Sequence, residues 1–177
     1  MRLRDLIVVA LLMAIGYILH SIPFWTVGGM RPDFMLVMLI SAVLLLPEVY
    51  LAAEAGVLAG IITALTTTFP GGQVGNFVDK ICTAFVVLAL ARLLRGRINA
   101  KILAPILGAV GTLISGAIFL GVARLVALPP APFGVLYTTV VLPTALLNTI
   151  GTGVIYPLLE MSRQAVQGGS ARRERAA

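Results

Sequence analysis

Charged residues are scarce in this chain. Asp, Glu, Lys and Arg make up 11% of its 177 residues, whereas 59% of the residues are hydrophobic. A soluble globular domain contains about 25% charged residues, so this chain has too few to cover a water-facing surface. The composition therefore excludes a soluble enzyme, a nucleic-acid-binding domain and a disordered chain. Since each membrane crossing needs about 20 apolar residues, the length allows six crossings with short loops.

Cysteine and histidine are almost absent, with one residue of each. Cys82 alone cannot form an internal disulfide, and together with His20 it cannot supply the several ligands of a zinc or iron site. A P-loop requires a glycine-rich segment that ends in Gly-Lys-Ser/Thr, and neither Lys80 nor Lys101 lies in one. We therefore expect no enzymatic activity and no cofactor in this chain. ATP-driven transport would need a partner that hydrolyses the ATP.

Apolar runs separated by proline, glycine and charged residues predict an all-α integral membrane protein with six transmembrane helices. The second span is short for a crossing unless it extends to Tyr50, with Asp33 and Glu48 at the membrane interfaces, and the sixth is expected to bend near Pro143. The spans form a single domain over residues 1–167, followed by a basic, disordered tail over residues 168–177. The predicted spans are about 5–22, 33–47, 51–68, 76–94, 102–126 and 134–160.

Lysine and arginine are distributed unevenly between alternate loops of this arrangement. One side carries ten of them, and the other carries three, Arg31, Lys80 and Arg124. The positive-inside rule places the side with ten in the cytoplasm, and both chain termini lie on that side. The net charge of +6 is thus a signal of topology and not of a nucleic-acid partner.

Polar residues concentrate at the opposite, extracytoplasmic end of the spans. Asn76, Asp79 and Lys80 follow one another at helical spacing, which places them on one face of span four. Polar side chains at membrane depth are costly and usually face a cavity or each other. This face predicts an outward-facing binding pocket. The alternative is that Asp79 and Lys80 pair with Arg31 and Asp33 only to tie loops together.

Other polar or aromatic residues at the same end extend the candidate pocket. Asn148 lies in a polar stripe of span six, where it would either bind a ligand or tie two helices together. Thr67 and Gln73 lie in the segment that closes span three. Trp25 lies in the loop between spans one and two. It would either line the pocket or lie at the membrane interface, where aromatic rings are common.

Two segments resemble the bacterial tryptophan transporter family. They read GMRPDFML at residues 29–36 and TALTTTFPGGQ at residues 63–73, and the second is followed by Asn76, Asp79 and Lys80. The resemblance covers roughly residues 1–160. That family is regarded as a substrate-binding (S) component of energy-coupling factor transporters. The resemblance implies a multi-pass protein of the bacterial cytoplasmic membrane that captures tryptophan.

The resemblance also implies partners, namely a transmembrane coupling subunit and two ATPase subunits. Ala10 and Ala14 match the Ala-x-x-x-Ala of the first helix of S components, which docks on the coupling subunit. Small residues four apart let another helix approach closely, although packing within this chain would use the same spacing. The competing hypothesis is a stand-alone secondary transporter for tryptophan or another aromatic compound, driven by an ion gradient with Asp79 as the coupling group.

A zwitterionic indole amino acid sets clear requirements for the pocket. Its ammonium needs an anion, its carboxylate needs a cation or a helix N-terminus, and its ring needs an apolar slot. Asn148 or Gln73 could accept the indole N–H, and aromatic residues could line the ring. The candidate substrate-binding residues are Trp25, Arg31, Asp33, Thr67, Gln73, Asn76, Asp79, Lys80 and Asn148.

Overall fold

The computed structural model describes residues 2–21 and 32–174, with side chains through Val166. Within these residues the regular structure is helical. The helices are α1 (Leu3–Ser21), α2 (Phe34–Leu45), α3 (Val49–Thr66), α4 (Gly72–Leu94), α5 (Ala100–Val126), α6 (Phe133–Leu136) and α7 (Leu142–Glu174), with a π-helical segment (Tyr137–Val141) between the last two.

Six helices follow from this arrangement of the described residues, because α6, the π-helical segment and α7 run on without a break. Among the described helices, α1, α3, α5 and the segment Phe133–Val166 are each long and apolar enough to cross a membrane. Helix α4 has 23 residues, about 35 Å, but carries two buried charges. The chain is therefore a multi-pass membrane protein.

Helix α2 is short and occupies the centre of the bundle. Ten of its 12 residues are buried, and it packs against α1, α3, α4, α5 and α7. The prediction that this span extends to Tyr50 is wrong, since α2 ends at Leu45 and Tyr50 lies in α3. Leu46 precedes Pro47, and a residue before proline is driven out of the helical region. Its φ of −132° and ψ of 76° fit that restriction.

The last helix departs from regular α geometry where the sequence predicts a bend. Pro143 has no N–H with which to bond the preceding turn. Directly before it, the N–H of Leu142 bonds to the carbonyl of Tyr137, five residues back. A π-helical turn accommodates such a break in the hydrogen-bond ladder.

Helix α7 also continues to Glu174, into the segment 168–177 that the sequence predicts as a disordered tail. The residues that follow the glycine pair there are mostly alanine, arginine and glutamate, which are good helix formers.

One end of the bundle, here called the basic end, collects most of the cationic side chains. Arg92 donates to the carbonyl of Pro47 (2.7 Å from Nη2), and Arg163 donates to the carbonyl of Leu45. The described residues of the basic end are Arg2, Arg4, Arg92, Arg95, Arg97, Lys101 and Arg163. Towards the opposite end, Lys80 lies in α4 and not in a loop, and its side chain is buried among the helices. The fold thus separates the basic end from the end that holds Lys80, and the cytoplasmic orientation of the basic end stays a prediction.

Cysteine labelling tests this orientation. Gln73 and Arg97 are exposed at the two ends of α4, and the native Cys82 is also exposed. In a Cys82→Ser background, a membrane-impermeant maleimide added outside intact cells is expected to label Gln73→Cys but not Arg97→Cys. The opposite labelling pattern would overturn the assignment of the basic end to the cytoplasm.

Candidate functional site

Three ionisable side chains meet inside the bundle at the end opposite the basic end. Helix α4 contributes Asp79 and Lys80, which are 1% and 2% exposed. Lys80 Nζ lies 2.8 Å from Asp33 Oδ2 and 3.0 Å from Asp79 Oδ2. We call Asp33, Asp79 and Lys80 the ion-pair cluster. With both carboxylates and the ammonium ionised it carries a formal charge of −1.

Asp33 starts α2 and so connects the central helix to the ion-pair cluster. Its Oδ1 accepts a hydrogen bond from the N–H of Leu36 at 3.1 Å, which is the usual role of an N-cap carboxylate. His20 Nδ1 lies 3.9 Å from the same oxygen and has no hydrogen-bond partner among the residues that the structure describes. The Asp33 carboxylate therefore both caps the start of α2 and contacts Lys80 among the helices.

Hydroxyl groups complete the environment of Asp79. Thr83 Oγ1 donates to Asp79 Oδ1 at 2.9 Å, from one turn further along α4. Ser115 Oγ, on α5, donates to Asp79 Oδ2 at 2.9 Å. Both carboxylate oxygens thus have donors, and such bonds stabilise the ionised form in a buried site.

Asn148 links three helices next to the ion-pair cluster and is completely buried. Its Oδ1 accepts from the N–H of Asp33 at 2.9 Å, and its Nδ2 donates to Thr112 Oγ1 at 3.0 Å. Thr112 in turn donates to the carbonyl of Gly108 at 2.7 Å. Because both ends of its amide are engaged, Asn148 holds α7 against α2 and α5.

A cavity of about 160 Å³ opens beside the ion-pair cluster. Gly116 of α5 faces Val141 there so closely that a Cβ on the glycine would clash with the valine side chain. The wall is polar on the side of α4 and apolar on the side of the π-helical segment. Its lining residues are Asp33, Leu36, Asn76, Asp79, Lys80, Thr112, Ser115, Gly116, Phe119, Val140, Val141 and Thr144.

The remaining candidate residues are placed differently. Asn76 lines the cavity, and its Nδ2 donates to the carbonyl of Thr63 at 3.3 Å. Thr67 and Gln73 do not line it: Thr67 Oγ1 accepts from the N–H of Phe69 at 3.2 Å, and Gln73 is exposed. Trp25 and Arg31 lie outside the described residues.

Helix α5 supplies cavity residues that the sequence analysis missed. Thr112 and Ser115 lie three residues apart, on one face of the central, largely apolar part of the helix. Polar side chains within a membrane span are themselves a signal of a cavity or an interhelical bond. Phe119, one turn further, packs edge-on against Phe69 with ring centroids 5.2 Å apart. No charge marks this face, which is why the search for ionisable residues overlooked it.

Comparison with known proteins identifies the family. The model of the tryptophan transporter TrpP family matches residues 2–164. The chain belongs to this family. A probable tryptophan transport protein from Bacillus subtilis (strain 168) is 43% identical over 162 residues, covering 90% of this chain and 92% of that protein. The probable tryptophan transport protein of Clostridium acetobutylicum is 40% identical over 166 residues, covering 94% and 97%.

A third relative, the probable tryptophan transport protein of Clostridium perfringens, is 42% identical over 162 residues, covering 86% of this chain and 89% of that protein. The resemblance of the two sequence segments to this family is thereby confirmed. No solved structure is significantly similar to the chain. The match to the TrpP family covers every helix except the last residues of α7.

Proposed function

We propose that this TrpP-family chain is the membrane-embedded substrate-binding subunit for high-affinity uptake of tryptophan, with ATP hydrolysed by separate energy-coupling subunits. The observation that carries the proposal is the ion-pair cluster, which combines charges of both signs at the edge of a cavity with an apolar wall. An amino acid needs both signs together with a slot for its side chain. This function requires no catalysis by the chain itself.

The substrate ammonium would bind at the carboxylates, because Asp33 and Asp79 share a single described cation, Lys80. An added ammonium would neutralise the formal charge of −1. The substrate carboxylate would then bind Lys80 or Arg31, which lies two residues before Asp33 in the sequence. Charge-assisted hydrogen bonds of this kind are the strongest available to a buried ligand.

The indole ring would lie against the apolar wall formed by Leu36, Phe119, Val140 and Val141. The cavity of about 160 Å³ is smaller than the roughly 300 Å³ at which ordinary ligand sites begin. Tryptophan binding therefore requires the cavity to widen. The π-helical segment carries Val140 and Val141, and such segments are often found at functional sites.

Energy coupling would use the outer face of α1. Ala10 and Ala14 are both exposed, while the packing of α1 within the bundle uses Val9, Leu12 and Met13. The two alanines are thus free of internal packing, and small residues four apart suit close approach of a helix from another subunit.

Bulky residues on this face test the docking. Ala10→Trp and Ala14→Trp are expected to abolish co-purification with the coupling subunit and to leave tryptophan binding by the isolated chain unchanged. Ile102→Trp, on the exposed surface of α5, is the matched control and should leave the complex intact. A stable complex that carries both alanine substitutions would contradict docking through this face.

Uptake measurements decide between the proposed function and its alternative. Radiolabelled tryptophan uptake is expected to require co-expression of the coupling and ATPase subunits. The alternative is gradient-driven secondary transport, which the buried carboxylate of Asp79 favours because buried carboxylates often serve as ion-coupling groups in transporters. Uptake without the other subunits that is abolished by an ionophore would support this alternative and exclude the energy-coupling proposal.

A further inference from the structure

A second, larger cavity lies at the basic end, far from the ion-pair cluster. It has a volume of about 450 Å³ and lies between the start of α1, the end of α2 and the last part of α7. Its inner wall is apolar and includes Val8, Leu12 and Leu159. Three arginines, Arg2, Arg4 and Arg163, stand among its lining residues.

The cavity at the basic end exists because α2 is shorter than the helices that pack against it. Helix α2 has 12 residues, about 18 Å, whereas α5 has 27 residues, about 40 Å. Leu45 and Leu46, at the end of α2, form part of the cavity wall. Helices α1 and α7 extend on both sides of this point, so the bundle is left unfilled beyond the last turn of α2.

The charge of the cavity is strongly positive. Asp5 is the one acidic residue among the lining residues, against three arginines. Arg2 and Arg4 are exposed, and Arg163 is anchored by its hydrogen bond to the carbonyl of Leu45. Helix α1 begins at Leu3, so the positive end of its dipole adds to the same field.

The size of the cavity favours a small amphiphile over a protein helix. A helix about 10 Å across rises 5.4 Å per turn, so one turn occupies roughly 420 Å³. The cavity could therefore admit about one turn of a partner helix. A phospholipid suits the cavity better, because its phosphate group matches the arginines and the upper part of an acyl chain matches the apolar wall.

We propose that this cavity binds an anionic phospholipid. The phosphate would bind at Arg2, Arg4 and Arg163, and an acyl chain would lie along Val8, Leu12 and Leu159. Basic pockets between membrane helices on the cytoplasmic side are a recognised kind of headgroup site. The lipid would fill the space beyond α2 and fix α1 against α7. This inference is independent of the proposed transport function, because it concerns the other end of the bundle.

Lipid titration of the full-length chain tests the proposal. The delipidated protein in detergent is titrated with dioleoylphosphatidylglycerol or dioleoylphosphatidylcholine, and binding is followed by native mass spectrometry and by the thermal midpoint of unfolding. We expect preferential binding and stabilisation by phosphatidylglycerol. In the variant Arg2→Gln/Arg4→Gln the affinity should fall about 30-fold, at about 1 kcal/mol for each arginine.

The matched control is Arg97→Gln/Lys101→Gln, which removes the same charge from exposed positions of the basic end outside the cavity. This control should keep the preference for phosphatidylglycerol. Equal binding of both lipids, or an unchanged preference in Arg2→Gln/Arg4→Gln, would overturn the proposal. Equal stabilisation by inorganic phosphate would also overturn it, by showing a simple anion site. Loss of coupling-subunit binding in that variant, without any lipid preference in the native chain, would instead assign the cavity to a protein partner.

Discussion

Replacement of Lys80 by methionine is expected to destabilise the folded protein by about 3–5 kcal/mol, the range found when one partner of a buried ion pair is removed. Lys80 Nζ is the only described cation within hydrogen-bond distance of Asp33 and Asp79. Without it, the two carboxylates lie among the helices with no ammonium partner, and the described basic group that remains near them is His20, whose Nδ1 lies 3.9 Å from Asp33 Oδ1. Tryptophan binding should be lost as well. The free energy of unfolding in detergent and calorimetric titration with tryptophan measure the two effects.

The control for this variant is Lys101→Met, which removes an exposed lysine at the basic end. Its free energy of unfolding should stay within about 0.5 kcal/mol of the native value. Unchanged stability of Lys80→Met would contradict the ion-pair cluster itself.

A triple variant separates stability from binding. Lys80→Met combined with Asp33→Asn and Asp79→Asn removes all three charges at nearly constant volume. Most of the lost stability should return, because a neutral buried set can be as stable as a charged one. Tryptophan binding should not return, since the charges that recognise the zwitterion are gone. Native affinity in the triple variant would mean that the cluster is a structural tie and that the substrate binds elsewhere.

The charged part of this site could be predicted because charge inside an apolar run is conspicuous. Asp79 and Lys80 interrupt a predicted span, and Asn148 is a polar residue deep in another. The pairing of Lys80 with Asp33 was one of the alternatives that the sequence left open, because helical spacing does not show which residues of other helices a side chain reaches. The end of α2 could not be predicted either, because it depends on how Pro47 stops the helix.

The helix number could be predicted, but several helix ends could not. Helix α4 begins at Gly72, four residues before the predicted start, because Gly71 adopts a left-handed conformation (φ +69°) that turns the chain into the helix. In a sequence, a glycine pair indicates a helix break. Only the packing shows that the second glycine of this pair, Gly72, belongs to the helix. Gly72 lies against Thr67 and Phe69, where a Cβ would meet atoms of both side chains.

Replacement of Asn148 by alanine is expected to cost about 1–3 kcal/mol of folding stability, because a buried donor is left without its acceptor. Asn148 Oδ1 is the acceptor for the N–H of Asp33 at 2.9 Å, and its Nδ2 reaches Thr112 at 3.0 Å. The neighbouring variant Thr149→Ala is the matched control. Among the described residues, the Thr149 hydroxyl donates to the carbonyl of Ala145, one turn back in its own helix. Loss of this hydroxyl should cost about 0.5 kcal/mol or less.

The effect of Asn148→Ala on tryptophan affinity distinguishes the two roles that the sequence left open for this residue. Asn148 fixes the backbone of Asp33 from α7, and Asp33 fixes Lys80 from α2. If the ion-pair cluster binds the zwitterion, removal of the Asn148 hydrogen bonds that position Asp33 must weaken tryptophan binding. A loss of about 1.4 kcal/mol of binding free energy is a tenfold loss of affinity. We expect at least such a loss by calorimetric titration of folded, monodisperse protein, and none for Thr149→Ala. Reduced stability with native affinity would make Asn148 an interhelical tie alone, and would place the bound tryptophan away from the junction of α2, α5 and α7.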